Sequence, residues 1–189
     1  RIVTRDGDTG DWEQFGTTCF PDALPARSGG GAPVLGINQI IAQFHSTAFA
    51  LPQTSMEPPG GQTLVNIPTF FELQWPEDGV EPQEIDNTVL IGYNVRIRPT
   101  FVNATYDFGD GDAQGPVSSL GGTWPDGDIQ HTYLAKETVN PSISVIYGGE
   151  YSVNGAAWQP IPGTVTIDGP PQPLEVLSSR HRLVHNPGS

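Results

Sequence analysis

Ten consecutive residues read Val89-Leu90-Ile91-Gly92-Tyr93-Asn94-Val95-Arg96-Ile97-Arg98, and every odd-numbered position among them is hydrophobic. A hydrophobic side chain at every second residue is the pattern of a β-strand with one buried face. We therefore predict a single long strand here, with five side chains directed into a core: Val89, Ile91, Tyr93, Val95 and Ile97.

Shorter segments of the same kind follow this strand. Strands are expected at 104–108, 129–134, 142–147, 150–153, 156–161, 164–167 and 174–184. Asn154-Gly155 predicts a two-residue hairpin turn, because a type I′ turn needs positive φ at both central residues. The 23 glycines and 19 prolines suit short strands joined by turns. The sequence therefore predicts a mainly β fold.

The region before residue 86 is less regular. One helix is expected at 36–47, where hydrophobic side chains recur at helical spacing: Leu35, Ile40, Ile41, Phe44 and Ala48. Residues 63–75 read as two strands, or as one strand broken at Pro68. We expect the helix to pack on this β structure.

These N-terminal elements are too few for an independent domain. One short helix and long loops bury too little apolar surface to offset a backbone entropy cost of about 1–2 kcal/mol per residue. We therefore expect residues 1–85 to be an extension that docks on a β-sandwich formed by residues 86–189. The first 35 residues read as irregular, and packed aromatic side chains would hold them: Trp12, Phe15 and Phe20.

The chain is acidic, with 21 Asp and Glu against 8 Lys and Arg and a net charge of −13. This charge repels phosphates, so we expect no nucleic acid partner. Since no run of about 18 apolar residues is present, we also expect no membrane insertion. The chain begins at Arg1, as expected of a processed precursor. Cys19 is the single cysteine, and we expect a buried thiol, with a lost or intermolecular disulfide partner or a nucleophile as the alternatives.

Two motifs lie in the second half of the chain: Tyr106-Asp107-Phe108-Gly109-Asp110-Gly111 and His131-Thr132-Tyr133. Through them, residues 88–168 resemble the PKD family of extracellular immunoglobulin-like domains. The resemblance implies an immunoglobulin-like, PKD-like antiparallel β-sandwich, here with an irregular N-terminal extension carrying one short helix. The sequence departs from the family at residues 121–128, between the motifs, and it lacks the Gly-x-Tyr-x-Val that usually follows His-Thr-Tyr.

The whole chain also resembles a group of exported actinobacterial proteins, through an Asp/Gly-rich start and the motif Thr18-Cys19-Phe20-Pro21-Asp22. The resemblances imply an extracellular or cell-envelope location. They favour a non-catalytic structural, adhesive or protein-binding module whose partner is another envelope or extracellular protein. A carbohydrate-binding module is the alternative, and a secreted hydrolase is a further one, because a fold does not by itself specify a function.

No catalytic set is identifiable from the sequence. Hydrolysis would need paired carboxylates across a cleft or a Ser-His-Asp set at a nucleophile elbow, and neither pattern is present. His181 and His185 have the spacing of zinc ligands on a helix, but they lie in a segment that reads as a terminal strand or tail.

Calcium is the one cofactor that the sequence suggests. Asp107, Asp110 and Asp112 are candidate ligands, because calcium binds six to eight oxygen atoms. Asp126 and Asp128 are candidates to join them. The capping of turn amides explains the same carboxylates without a metal.

Tryptophan side chains are the candidate contacts for a ligand or partner. Trp124 is the strongest candidate, because its Gly-rich loop also contains Asp126 and Asp128 and offers no obvious core for an indole ring. Trp75 and Trp158 are further candidates, with packing in the core as the alternative.

Overall fold

The computed structural model describes residues 2–4, 13–16, 33–76 and 78–179. Side chains are described only from residue 33 onward. The side chains of several residues named above are not among those described: Trp12, Phe15, Cys19, Phe20, His181 and His185. The interpretations given for them stay predictions.

The described residues belong to two units, which divide between Val34 and Leu35. In the first unit, β1 (Ile2–Thr4) pairs antiparallel with β2 (Glu13–Gly16). All three residues of β1 are β-branched, which favours extended backbone. The prediction that the first 35 residues are irregular is therefore wrong for these two strands.

The second unit is mainly β, as predicted, and α1 is the one α-helix among its described residues. Its elements in chain order are α1 (Ile37–Ser46), β3 (Gln53–Glu57), β4 (Gln62–Leu64), β5 (Pro68–Gln74), β6 (Asp86–Leu90), β7 (Tyr93–Asp107), β8 (Ala113–Val117), β9 (Gln130–Thr132), β10 (Glu137–Val139), β11 (Ser142–Val153), β12 (Gln159–Pro160), β13 (Val165–Asp168) and β14 (Leu174–Leu177).

The two longest strands, β7 and β11, form the centre of a six-stranded antiparallel sheet. They pair from Ser142 opposite Asp107 to Val153 opposite Val95. Strands β6 and β8 pair with the two ends of β7, and β12 and β13 pair with the two ends of β11. One irregularity between Ile146 and Tyr147 interrupts the register of the central pair.

Two three-stranded sheets complete the second unit. Their orders are β3-β5-β9, which is antiparallel, and β10-β14-β4, in which β14 and β4 run parallel. Side chains from all three sheets and from α1 form one hydrophobic cluster, an arrangement consistent with a β-sandwich. The largest fully buried side chains are Tyr106, Tyr133, Tyr147, Phe44, Phe71, Ile97, Ile129, Ile143, Leu174, Val95, Val139 and Val145. The predicted boundary between residues 85 and 86 stays a prediction.

The chain turns back within the segment that we predict to be one long strand. Leu90 at the end of β6 pairs with Tyr93 at the start of β7. The two residues between them, Ile91 and Gly92, have positive φ angles of 44° and 89°. The segment is therefore a tight hairpin rather than a single strand, although its sequence lacks the Asn-Gly or Asp-Gly signal of such turns.

The hairpin also changes which side chains face the core. Because Leu90 pairs with Tyr93, even-numbered residues of β6 lie on the same face as odd-numbered residues of β7. Val95 and Ile97 are buried, as predicted. Val89 is 65% exposed and Ile91 is 41% exposed, so the prediction of burial is wrong at these two positions.

The predicted hairpin turn at Asn154-Gly155 has the expected backbone. Its two residues have φ angles of 50° and 79°. The amide of Ala156 donates to the carbonyl oxygen of Val153 at 2.9 Å and closes the turn. The chain then returns along β11 as β12.

The helix predicted at 36–47 is present as α1, with Ile40 and Phe44 buried. Phe44 meets Phe49 edge-on, with ring centroids 5.3 Å apart. Its ring also lies over Gly149 of β11, where an added Cβ would meet it at 2.7 Å. The contact with Gly149 lies on the six-stranded sheet, whereas the sequence led us to expect the partner of the helix at 63–75.

Phe44→Ala is expected to lower the free energy of unfolding by about 3–5 kcal/mol, because it leaves a cavity beneath α1. Urea denaturation measures the change. Ile37→Ala is the control, since Ile37 lies on the same helix but is 41% exposed. A loss at Phe44 no larger than the loss at Ile37 would contradict the packing described for α1.

Ile91→Asn is expected to raise the free energy of unfolding by about 1 kcal/mol. Isoleucine is strained at positive φ, whereas asparagine tolerates this conformation and favours a tight turn before glycine. Val89→Asn, at an exposed position with ordinary backbone, should give no such gain. If Ile91→Asn destabilised the protein instead, the turn would not have the geometry described.

Candidate functional site

The two motifs of the resemblance meet at one end of the six-stranded sheet. His131 stacks on Phe108, with ring centroids 4.4 Å apart and planes 6° from parallel. Tyr133 is fully buried and donates a hydrogen bond from its hydroxyl to the carbonyl oxygen of Phe108 at 2.9 Å. His131 Nε2 lies 2.7 Å from Asp110 Oδ2. Aromatic stacking and hydrogen bonds therefore join residues that lie more than twenty positions apart in sequence.

The turn after β7 depends on glycine. Gly109 has a φ of 80°, and an added Cβ would lie 2.7 Å from the amide nitrogen of Asn140. The carboxylate of Asp107 accepts the Gly109 amide at 2.8 Å, and the carboxylate of Asp110 accepts the Asp112 amide at 3.1 Å. Two of the three candidate calcium ligands therefore cap backbone amides of the turn, which was the metal-free interpretation of the sequence.

The electrostatics of the turn centre on Asp110. Burial tends to raise the pKa of this carboxyl group. Hydrogen bonds from the His131 side chain and the Asp112 amide outweigh that effect, so the pKa of Asp110 is lower than the ordinary aspartate value. The ionised form of Asp110 therefore stabilises the contact between the two motifs.

One group of three side chains in the described ranges could offer ligands to a metal ion. It consists of Asp110, Asp112 and His131, whose ligand atoms lie within 4.8 Å of one another. Asp107 is outside this group. An imidazole nitrogen with two carboxylates suits a first-row transition ion better than calcium, which prefers oxygen ligands. The sequence analysis did not predict His131 to be a metal ligand, although His131 belongs to the second motif of the PKD resemblance.

A second region of interest is the loop of residues 119–128, which is held against β5 by backbone hydrogen bonds. The Leu73 amide donates to Leu120 at 2.8 Å, and the Gly122 amide donates to Phe71 at 3.0 Å. Gly121 approaches β5 so closely that an added Cβ would collide with the carbonyl oxygen of Phe71. The loop is thus anchored through its backbone and needs glycine at its contact point.

This loop presents Trp124 to solvent with 68% of its surface exposed. The Trp124 amide donates to the Glu57 carboxylate at 2.9 Å. Asp126 is exposed beside it in sequence, and Asp128 accepts the Ser119 hydroxyl at 2.6 Å. The predicted contact residues therefore lie on one anchored loop, and Glu57 is an addition that no sequence signal indicated.

The negative charge near this loop affects a buried tyrosine. Burial is the largest cause of the raised pKa of Tyr106, and the charges of Asp128 and Glu72 add to it. The Tyr106 hydroxyl donates to the carbonyl oxygen of Ser119 at 3.1 Å. The base of the loop is therefore close to two carboxylates as well as to the core.

The other two candidate tryptophans have partners within the protein. Trp75 donates from its indole nitrogen to the Tyr147 hydroxyl, and it packs against Phe101. Trp158 lies beneath two arginines, with the guanidinium carbons of Arg96 and Arg98 at 4.9 Å and 4.5 Å from its ring centroid. Of the three candidates, only Trp124 has a largely exposed ring.

A shallow groove of about 360 Å³ lies between α1 and the β6–β7 turn. Its lining residues are Gln39, Ala42, Gln43, Ser46, Val89, Leu90 and Ile91. These side chains include no carboxylate, imidazole or thiol, and the Ser46 hydroxyl donates to a helix carbonyl. The groove therefore supplies no pair of acid and base for hydrolysis.

Asp110→Asn is expected to reduce the loss of stability in acid. The pKa of Asp110 is lower in the folded protein, so its contribution is present above the unfolded value of about 3.9 and is lost as the pH falls through the folded value. Between about pH 5 and pH 2 the wild type should lose more stability than the variant. Urea denaturation at each pH measures this, with Asp112→Asn as the control. Equal losses in wild type and Asp110→Asn would contradict the role given to Asp110.

Comparisons with protein-family models, with curated proteins and with solved structures find no match for this chain. No helix in the described ranges has the length and hydropathy needed to cross a lipid bilayer.

Proposed function

We propose that this chain is a non-catalytic binding module of immunoglobulin-like, PKD-like type. It acts outside the cell or in the cell envelope and contacts another protein through the loop of residues 119–128. The observation that carries the proposal is the 68% exposure of Trp124 on a loop anchored by backbone hydrogen bonds.

The contact between the two motifs supports the PKD-like part of the proposal. Phe108 and Asp110 of the first motif meet His131 and Tyr133 of the second through stacking and hydrogen bonds. Residues that carry the resemblance therefore interact with one another rather than being scattered over the chain. The antiparallel pairing of β7 with β11 is also compatible with a sandwich of this type.

The loop has the physical properties of a recognition element. An exposed tryptophan supplies a large contact area with few rotatable bonds, and tryptophan is enriched among residues that dominate binding energy. Because the backbone on both sides of Trp124 is already held, binding would order little additional chain. The cost of association is then lower than for a free loop.

A carbohydrate-binding module is the second candidate, and the exposed ring of Trp124 on a loop that also carries carboxylates favours it. A sugar could stack on the indole face while Glu57 and Asp126 accept hydrogen bonds from its hydroxyl groups. Protein binding and carbohydrate binding would use the same loop, so the class of ligand that binds distinguishes them.

Trp124→Ala is expected to weaken binding about tenfold or more, the effect of removing a central aromatic anchor. The full chain is applied to a peptide array and to a glycan array, and each ligand found is measured again with the variant. Leu134→Ala is the matched control, because Leu134 is 79% exposed and lies outside the loop. Both variants should unfold at the wild-type temperature.

Peptide ligands that depend on Trp124 would support the protein-binding proposal. Glycan ligands that depend on Trp124 would favour the second candidate instead. Ligands that bind Trp124→Ala as tightly as wild type, or the absence of ligands on both arrays, would overturn the assignment of binding to this loop.

A further inference from the structure

We propose that the group recognised at Trp124 is a cationic side chain, an arginine or lysine supplied by a partner protein. This inference rests on the proposed binding function of the loop and specifies its ligand. The exposed face of an indole ring carries negative electrostatic potential and attracts a cation placed over it. Trp124 offers such a face with 68% of its surface exposed.

Three carboxylates lie on, or contact, the loop that carries this ring. Glu57 holds the Trp124 amide, and Asp126 and Asp128 belong to the same loop. Residues 119–128 contain no lysine, arginine or histidine. Among the described residues, Arg98 pairs with Glu150 and His131 contacts Asp110, and no basic side chain lies within ion-pair distance of Glu57, Asp126 or Asp128.

The same protein contains a complete arrangement of this kind on the outer part of the six-stranded sheet. Arg98 lies 4.5 Å from the ring centroid of Trp158, and its guanidinium group also donates to the Glu150 carboxylate at 3.2 Å from Nε. One tryptophan face and one carboxylate thus hold Arg98, and Arg96 lies 4.9 Å from the same ring centroid. Trp124 with Glu57 and Asp126 supplies the tryptophan and the carboxylates, and the arginine is the component that a partner would bring.

The negative charge of the loop also favours a cationic ligand over a neutral sugar. A sugar would gain the stacking surface and hydrogen bonds, but it would compensate none of the negative charge of Glu57, Asp126 and Asp128. A guanidinium or ammonium group gains cation–π attraction and charge-assisted hydrogen bonds at once. The net charge of −13 favours the approach of basic partners over the whole molecule.

The test compares two peptides that differ in charge and hardly in shape. The full chain is labelled with nitrogen-15, and the indole resonance of Trp124 is identified as the one lost in Trp124→Phe. It is then titrated with an acetylated pentapeptide of sequence Gly-Arg-Gly-Arg-Gly, and with the same peptide containing citrulline in place of arginine. Chitotriose is the neutral sugar probe.

The arginine peptide is expected to shift the Trp124 resonance in a saturable manner. The citrulline peptide should bind at least about threefold more weakly than the arginine peptide. Addition of about 0.5 M NaCl should weaken binding of the arginine peptide by screening. Asp126→Asn should also weaken it. Asp78→Asn should have no such effect, because Asp78 is an exposed aspartate outside the loop.

Equal shifts with arginine and citrulline would overturn the inference, since charge would then not be recognised. A shift with chitotriose and none with arginine would also overturn it, while leaving the loop as a binding site. If neither probe shifts the resonance, the cationic ligand is excluded, and the array comparison of Trp124→Ala with wild type decides separately whether the loop binds anything.

Discussion

The antiparallel ladder between β7 and β11 is the interaction on which the rest of the second unit depends. Every other strand of the six-stranded sheet pairs with one of these two, and none of those strands is longer than five residues. Short strands gain little from their own hydrogen bonds and need a neighbour with a buried face. The alternating buried side chains of β7 and β11 provide that face, and α1 packs against it through Phe44.

Local patterns were enough to predict a mainly β fold, α1 and several strands, because those features depend on the spacing of nearby side chains. They failed where the chain reversed direction without a recognisable turn sequence. At Ile91-Gly92, alternation of hydrophobic residues continues through the turn, so the sequence alone suggests one strand. The reversal changes which residues face inward, and this explains why Val95 is buried and Val89 is exposed.

Part of the candidate site was predictable because it also depends on local sequence patterns. The exposure of Trp124 followed from its glycine-rich surroundings, and the capping roles of Asp107 and Asp110 followed from turn chemistry. The contact of Glu57 with Trp124 joins residues 67 positions apart, and no local pattern encodes it. The contact between the Phe44 ring and Gly149 also depends on tertiary packing. The sequence could not predict it, because glycine within a strand can have several structural roles.

The loop of residues 119–128 has an anchored part, which contains Gly121 and Gly127, and an exposed part between these two glycines. Gly121 and Gly127 are fixed by close backbone approach, and the Gly127 amide closes the loop on the carbonyl oxygen of Thr123 at 2.7 Å. Trp124 and Asp126 lie between these two glycines, and both are exposed. Substitutions at these two positions should therefore leave the backbone contacts of Gly121 and Gly127 in place. Under the proposed binding function, one mainly β fold of this kind could present different side chains at the same anchored loop, as a scaffold does in a library of engineered binders.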